Sequence, residues 1–306
     1  MVSAHERRTM GPHPLVSVGV PVFNGEDYLP ACLESLTDQT YTELEILISD
    51  NGSSDGTEEI CRDFAQRDER VRYHRRPDNL GAAVNYNGLV HMAKGRYFKW
   101  ASHDDICAPS LVERCVAEIR QHPEAVLVYP RTYLIDGTGA ITEEYADRLD
   151  LRQASPTVRM WRFASNVNLC NAVFGLIDRQ RLLETGLIRP RIGSDVTLLG
   201  ELLVRGRFHE LHERLFCRRI HPRSSRQGEL TLEEVAAWFD TRDPHVSRVS
   251  PGTRVTGELV GSLLRSPLPA RARFGPAVGY VVAWGIRRAR VRVGRARAAL
   301  REARAS

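Results

Sequence analysis

Several signatures are missing from this chain, and each absence removes a class of function. The 306 residues hold no CxxC pair, which leaves no zinc-ribbon spacing and no dithiol redox centre. There is no GxGxxG and no GxxxxGK[ST], so neither a dinucleotide-binding turn nor a P-loop is supported. The opening stretch "MVSAHERRTMGPHP" has no apolar core of the signal-peptide kind, and no signal peptide is expected. The apolar stretch "GPAVGYVVAWGI" (275–286) falls far short of the ~20 residues a membrane span needs. No internal repeat is found. The six cysteines (Cys32, Cys61, Cys107, Cys115, Cys170 and Cys217) sit mostly inside apolar periodic stretches. They read as reduced core residues, as in a cytoplasmic protein, and not as a disulfide frame.

What is present begins with an uneven charge. From Arg265 to Ser306 there are eleven arginines and one acid, Glu302, a balance of +10. The whole chain carries +5, so everything before Arg265 sums to −5. Basicity belongs to the tail, where "RRARVRVGRARAALREARA" reads as a helix. One reading of that tail is a solvated terminal helix. The other is an interfacial anchor, with Trp284 at the headgroups and the arginines on anionic lipid. Aromatic residues are too sparse there to favour stacking on bases, and no nucleic-acid partner is expected.

The first ~130 residues alternate strand and helix signals. "LVSVGVPVF" (15–23), "LEILISD" (44–50), "VRYHR" (71–75), "RYFKWAS" (96–102) and "AVLVYP" (125–130) read as strands. Between them lie helices carrying Leu29, Cys32, Leu33 and Leu36, then Ile60 and Phe64, then "NLGAAVNYNGLVHMA". A fourth starts near Pro109, with Leu111, Val112, Cys115, Val116 and Ile119 on one face. Such alternation implies βαβ units and a mostly parallel sheet, the Rossmann-like α/β class. Beyond Asp136-Gly137 the alternation fades, and 142–165 is polar and hard to assign. "NAVFGLIDRQRLLETG" (171–186) reads as a strand into a helix, "SDVTLLGELLVRG" (194–206) as a helix, "FHELHERLFCRRIH" (208–221) as a hairpin and "PRSSRQGE" (222–229) as a loop.

In a parallel α/β sheet, ligands bind beyond the carboxyl ends of the strands. Four polar loop segments fall there: Asn24; Asp50 and Asn51; Asp78 and Asn79; and His103, Asp104 and Asp105. A single Asp after a strand is usually a helix cap, but four such loops on one edge suggest a site. Paired carboxylates at that edge suit a hard divalent cation, Mg²⁺ or Mn²⁺, held against a diphosphate. Without the cation they would repel phosphates.

Three short patterns then combine: Pro21-Val22-Phe23-Asn24, Gln39-Thr40-Tyr41, and Asp50-Asn51-Gly52-Ser53-Ser54-Asp55. With "DNLGAAVNYNGLVHMAKGRYFKWASHDDICAP" they make residues 15–135 resemble the family 2 glycosyltransferases, which have the GT-A fold. The resemblance implies that Asp50 bonds the nucleotide base, usually uracil, together with backbone near Pro21 and Phe23. Asn24, Asn51, Asn79, His103 and Asp105 complete the expected substrate-binding set. The family commonly shows Asp-x-Asp-Asp before an apolar residue and Pro; here the stretch is Ser102-His103-Asp104-Asp105. Asp104 therefore takes the metal-binding position, and Ser102 replaces the first carboxylate. Asp105 is either a second ligand or a cap for the helix at Pro109. The family's catalytic base lies at the start of a helix in the second half, which implies Asp195, with Glu201 in reserve; the alternative is that Asp195 only caps. His221 resembles a histidine that closes over the diphosphate and sometimes ligates the metal, flanked by Arg218, Arg219 and Arg223. The alternative is a structural histidine among solvated arginines.

The expected organisation is a nucleotide-sugar half (1–135), an acceptor and catalytic-base half (136–230) and a helical basic extension (231–306). The expected reaction moves a sugar from a UDP- or dTDP-sugar to an acceptor hydroxyl with inversion, in cell-surface polysaccharide or lipid-linked glycan synthesis. A nucleotidyltransferase is the competing enzyme class, but "PVFNGEDYLP" lacks its Gly-rich basic loop. A non-catalytic nucleotide or nucleic-acid binder is the competing non-enzyme. A cytoplasmic protein, peripheral at the inner face of the membrane, is the expected location.

Overall fold

A computed structural model describes residues 15–222, 231–241 and 250–305. The first strand, β1 (Val16–Val22), is buried along its whole length, as is β2 (Leu44–Asp50). Their near-continuous apolar runs suit strands covered by helices on both faces. Between them α1 (Leu29–Thr37) buries Leu29, Cys32, Leu33 and Leu36, a single stripe at helical spacing. Helix α2 (Thr57–Arg67) follows, its first turn fixed by Asp55, whose Oδ1 accepts the Thr57 N–H at 3.1 Å. Strand β3 (Val71–Arg75) ends that side of the sheet. Then come α3 (Ala82–Met92), β4 (Tyr97–Trp100) and the short β5 (Ile106–Cys107). Helix α4 (Leu111–Gln121) begins two residues after Pro109 and buries the five apolar residues expected of it.

The second half is less regular. Strand β6 (Ala125–Ile135) runs well past the expected Pro130. The unassigned polar stretch contains β7 (Ile141–Tyr145) and α5 (Pro156–Asn166), the latter capped by Ser155. A 3₁₀ turn (Asn171–Phe174) leads into β8 (Leu176–Asp178), α6 (Arg179–Leu183) and α7 (Ser194–Leu203). The expected hairpin at 208–221 is instead one strand, β9 (Arg207–Arg219). It lies parallel to β6, and the polar His212-Glu213 stretch that suggests a turn sits where the pairing register jumps, from Pro130↔Leu211 to Arg131↔Arg214. Pro130 has no N–H to give to a ladder, which suits a break in pairing there. The loop expected at 222–229 lies outside the described residues after Pro222. Helices α8 (Leu232–Phe239), α9 (Pro251–Leu264) and α10 (Ala270–Ala305) complete the described chain.

The strands form one nine-stranded sheet in the order β3-β2-β1-β4-β8-β6-β9-β5, with β7 on β6. Pairing is parallel across β3-β2-β1-β4 and between β6 and β9; β8 runs antiparallel to both of its neighbours. Leu33 of α1, Cys61 of α2 and Cys115 of α4 share one apolar cluster. Leu89 of α3, Phe163 of α5, Leu199 of α7, Leu259 of α9 and Tyr280 of α10 share the other. The sheet is thus the middle layer, and its β1, β2 and β4 carboxyl ends all face one edge. The described cysteines are all free thiols, and only Cys217 is not fully buried.

Candidate active site

That edge opens into a cavity of about 530 Å³. Pro21, Phe23 and Asn24 line it from the end of β1, Asn51 from β2, Asn79 from the loop before α3, and Ser102 to Asp105 from β4. Asp195 of α7 and His221, two residues past β9, line it from the second half. Nearly every site residue expected from the sequence therefore meets in one space. Asp78 and Asp50 are not among the lining residues.

The β1 and β2 loops hold each other. Asn24 adopts φ 50°, a left-handed conformation Asn tolerates. Its N–H donates to Ser53 Oγ at 2.9 Å, and its Oδ1 accepts the Ser54 N–H at 2.9 Å. Asn51 Nδ2 donates to Asn79 Oδ1 at 2.7 Å, which ties the third loop to the second. Asp50 is fully buried beneath this layer. Its Oδ1 accepts the Ser53 N–H at 2.8 Å and its Oδ2 accepts the Tyr73 hydroxyl at 2.7 Å, with Arg75 Nε at 3.5 Å. Burial and the Asp50 carboxylate both push the Tyr73 phenol well above its ordinary range, so it stays a donor.

The acidic corner is built from β4 and the far end of β9. Asp104 Oδ1 accepts the Ser102 hydroxyl at 2.5 Å, and Oδ2 lies 3.0 Å from Nε2 of His221. Burial alone would raise the Asp104 pKa. The hydrogen bonds from His221 and Ser102 and the charge of His103 outweigh it and hold the carboxyl well below the usual range. Asp105 is pushed the other way, first by burial and then by the neighbouring Asp104 charge. It does not cap the helix after Pro109: its Oδ1 accepts the backbone N–H of Arg219 at 2.8 Å. An ionised carboxylate beside an imidazole nitrogen, with a second carboxyl adjacent, is a donor set that fits a divalent cation such as Mg²⁺ or Mn²⁺. Ser102, which by the resemblance replaces a first carboxylate, braces Asp104.

Arg218 and Arg219 also line the cavity, but their guanidinium groups already have partners. Arg218 donates to Leu169 O and Asn171 Oδ1, and Arg219 to Asp104 O and Asp136 O. Arg219 is stacked over Tyr28, 4.6 Å from the ring centre. Arg223 lies outside the described residues.

Asp195 sits in the first turn of α7, half-buried at the cavity wall. Gly193, at φ 84°, makes the sharp entry into this helix. A Cβ there would come within 2.5 Å of Val255, so the turn depends on glycine for both conformation and space. Glu201, the reserve base, is not at the cavity. It is buried two turns on, where it accepts from Arg189 at 2.6 Å and from Ser262 at 2.5 Å.

The cavity has an apolar, aromatic wall that sequence reasoning missed. Tyr86 of α3, Trp100 of β4 and Val235, Trp238 and Phe239 of α8 form it. The Tyr86 and Trp238 rings meet edge to face at 6.3 Å. Gly81, at φ 85°, brings the start of α3 against α8; a Cβ there would lie 2.5 Å from Phe239 O. A signal for α8 was present in the sequence, since Thr231 and Glu234 form a capping box.

The fold has counterparts among solved structures. S. aureus TarS in complex with UDP-GlcNAc superposes with a TM-score of 0.63 at 15% identity, covering 88% of this chain and 72% of that one. The mannosyltransferase PcManGT from Pyrobaculum calidifontis, in complex with GDP-Man and Mn²⁺, gives 0.53 at 14% identity, covering 90% and 86%. At these identities the likeness is one of fold, and it is the expected GT-A fold. In sequence, the glycosyltransferase GlyG of Streptococcus pneumoniae is 35% identical over 114 residues, which is 37% of this chain and 38% of that protein. The chondroitin synthase of Escherichia coli is 34% identical over 134 residues, 44% of this chain and 19% of that one. The aligned segments span 13% to 38% of the length of the curated relatives the chain matches. The family model for glycosyl transferase family 2 matches residues 17–184, more than half of the chain. The chain therefore belongs to glycosyl transferase family 2.

Proposed function

We propose that this protein is an inverting glycosyltransferase, which moves a sugar from a UDP- or dTDP-sugar to an acceptor hydroxyl. One observation carries the reading: the linked polar loops after β1 and β2, the Asp104–His221 pair and Asp195 all border the same cavity. The polar loops above the buried Asp50 receive the base, and Asp50 holds them from below through the Ser53 N–H. Asp104 and His221 would hold a divalent cation, which neutralises charge on the departing diphosphate when it is bound. Asp195 accepts the acceptor's proton as its oxygen attacks the anomeric carbon from the face opposite the diphosphate. The new C–O bond forms as the bond to the diphosphate breaks, and configuration inverts. The aromatic wall of Tyr86 and Trp238 suits the apolar face of a sugar ring.

The same reading assigns the tail an anionic bilayer, and with it a lipid-linked glycan or cell-surface polysaccharide acceptor. No described helix is long and apolar enough to cross a membrane. Helix α10 packs Ala277, Tyr280 and Ala283 inward, and leaves Phe274, Val278, Val281, Val282 and Ile286 exposed on the opposite side. Exposed Arg271, Arg288 and Arg290 lie along the same helix, and no acid occurs between Arg265 and Arg290. This is the pattern of a helix that lies on charged lipid. Trp284 is not at the expected headgroup position: it is half-buried against the core, with Arg288 stacked on it at 4.9 Å.

The decisive experiment incubates the full chain with Mn²⁺ and a panel of UDP-, dTDP- and GDP-sugars and measures release of nucleoside diphosphate. Release from one uridine or thymidine donor is expected, falling on the order of a thousandfold in Asp104→Ala while circular dichroism is unchanged. No release with any donor, or normal turnover in Asp104→Ala, would overturn the proposal.

A further inference from the structure

A second group of metal-type donors lies at the other edge of the sheet. Glu118 and His122 stand four residues apart at the end of α4, and His209 is the third residue of β9. Glu118 Oε1 is 2.9 Å from Nδ1 of His209 and 3.7 Å from Nε2 of His122. The three donors lie within 4.8 Å of one another. Tetrahedral ligands at about 2.0–2.1 Å from a metal sit about 3.3 Å apart, so these side chains are already near the required spacing.

Four further observations point the same way. His122 Nδ1 faces Glu124 Oε1 at 3.6 Å, and an outer carboxylate of this kind commonly orients a metal-bound histidine. His209 is 1% exposed, so its Nδ1 is held against Glu118 with water largely shut out, where a metal–ligand bond is strongest. The group lies at the carboxyl end of α4, where the helix dipole favours a cation. The side chain of His122 is 38% exposed, which gives an ion a way in. Arg152 approaches Glu118 at 3.1 Å, but it also holds Asp150 at 2.7 Å and keeps that partner when the carboxylate turns to a metal.

We propose that Glu118, His122 and His209 form a transition-metal site that fastens the start of β9 to the end of α4, separate from the cavity. Two imidazoles and one carboxylate suit Zn²⁺, Co²⁺ or Ni²⁺ better than the hard Mg²⁺. The two sites would thus sort different ions, and β9 links them, since its far end leads to His221.

The test uses the full chain freed of metal by chelation. Co²⁺ is titrated while its visible ligand-field absorption is followed, and Zn²⁺ is titrated against a chromophoric chelator. At least one equivalent is expected to bind in wild type, and one is expected to remain, with unchanged affinity, in Asp104→Asn, which removes the cavity's carboxylate. His122→Gln, a half-exposed position whose loss leaves the core intact, is expected to weaken binding about 10- to 100-fold and to abolish the Zn²⁺-dependent rise in Tm. Unchanged affinity in His122→Gln, or loss of all binding in Asp104→Asn, overturns the site.

Discussion

The two sides of the cavity are built by different means. On the β1–β2 side, short polar side chains are already bonded to one another across three loops: Asn24 to Ser54, Asp50 to Ser53 and Tyr73, and Asn51 to Asn79. On the side formed by α3, α7 and α8, the wall is mostly apolar and comes from helices that meet only in the folded chain. A wall wired by its own hydrogen bonds is positioned before any ligand arrives. A wall of packed rings offers surface and shape, and takes its orientation from the helices behind it. The comparison suggests a fixed pocket for a nucleotide, facing a more variable surface for the acceptor.

Four substitutions probe this contrast. The largest effect is expected from Asp195→Asn, which should lower transfer about a thousandfold, roughly 4 kcal/mol, with donor affinity by calorimetry unchanged. Normal turnover would remove the base from α7 and with it the functional division between the two walls. Next, Asp50→Asn should weaken donor binding about tenfold to a hundredfold, because the charge-assisted hydrogen bond from the Ser53 N–H to the carboxylate, about 1.5–3 kcal/mol, sets the loop that meets the base. Tyr73→Phe should weaken it less; equal affinities in all three proteins would mean that the base lies elsewhere. The smallest effect is expected at the tail. Val278→Glu, at a residue 59% exposed, should reduce binding to anionic vesicles about tenfold and leave donor turnover intact. Deleting α10 would be a poorer test, because Ala277, Tyr280 and Ala283 belong to the core.

Much of the first wall could be read from residue order alone. The segments 44–50 and 71–75 match β2 and β3 end to end, because buried parallel strands are apolar without interruption and turns bound them sharply. Asp104 and His221 were both named, yet their 3.0 Å contact spans 117 residues and no local pattern encodes it. Of the two roles open for Asp105, the helix cap is set aside for the same reason: its partner, the Arg219 N–H, comes from a distant strand. Trp238 escapes a reading of residue order because two adjacent aromatics near a helix end look like ordinary packing until Tyr86 is found beside them. The strand at 207–219 was read as a hairpin because polar residues in mid-strand imitate a turn.

That strand has one more consequence. Between Pro130 and Thr132, β6 advances two residues while β9 advances five, from Leu211 to Phe216. The surplus is odd, and an odd surplus swaps which side chains point up and which point down beyond it. Without it, Arg218 and Arg219 would trade faces, and the chain would arrive at His221 half a turn out of phase with Asp104. The irregular stretch acts as a phase adjuster: shortening it by a single residue would leave Asp104 and His221 in the chain and still mis-set the corner where two distant segments meet.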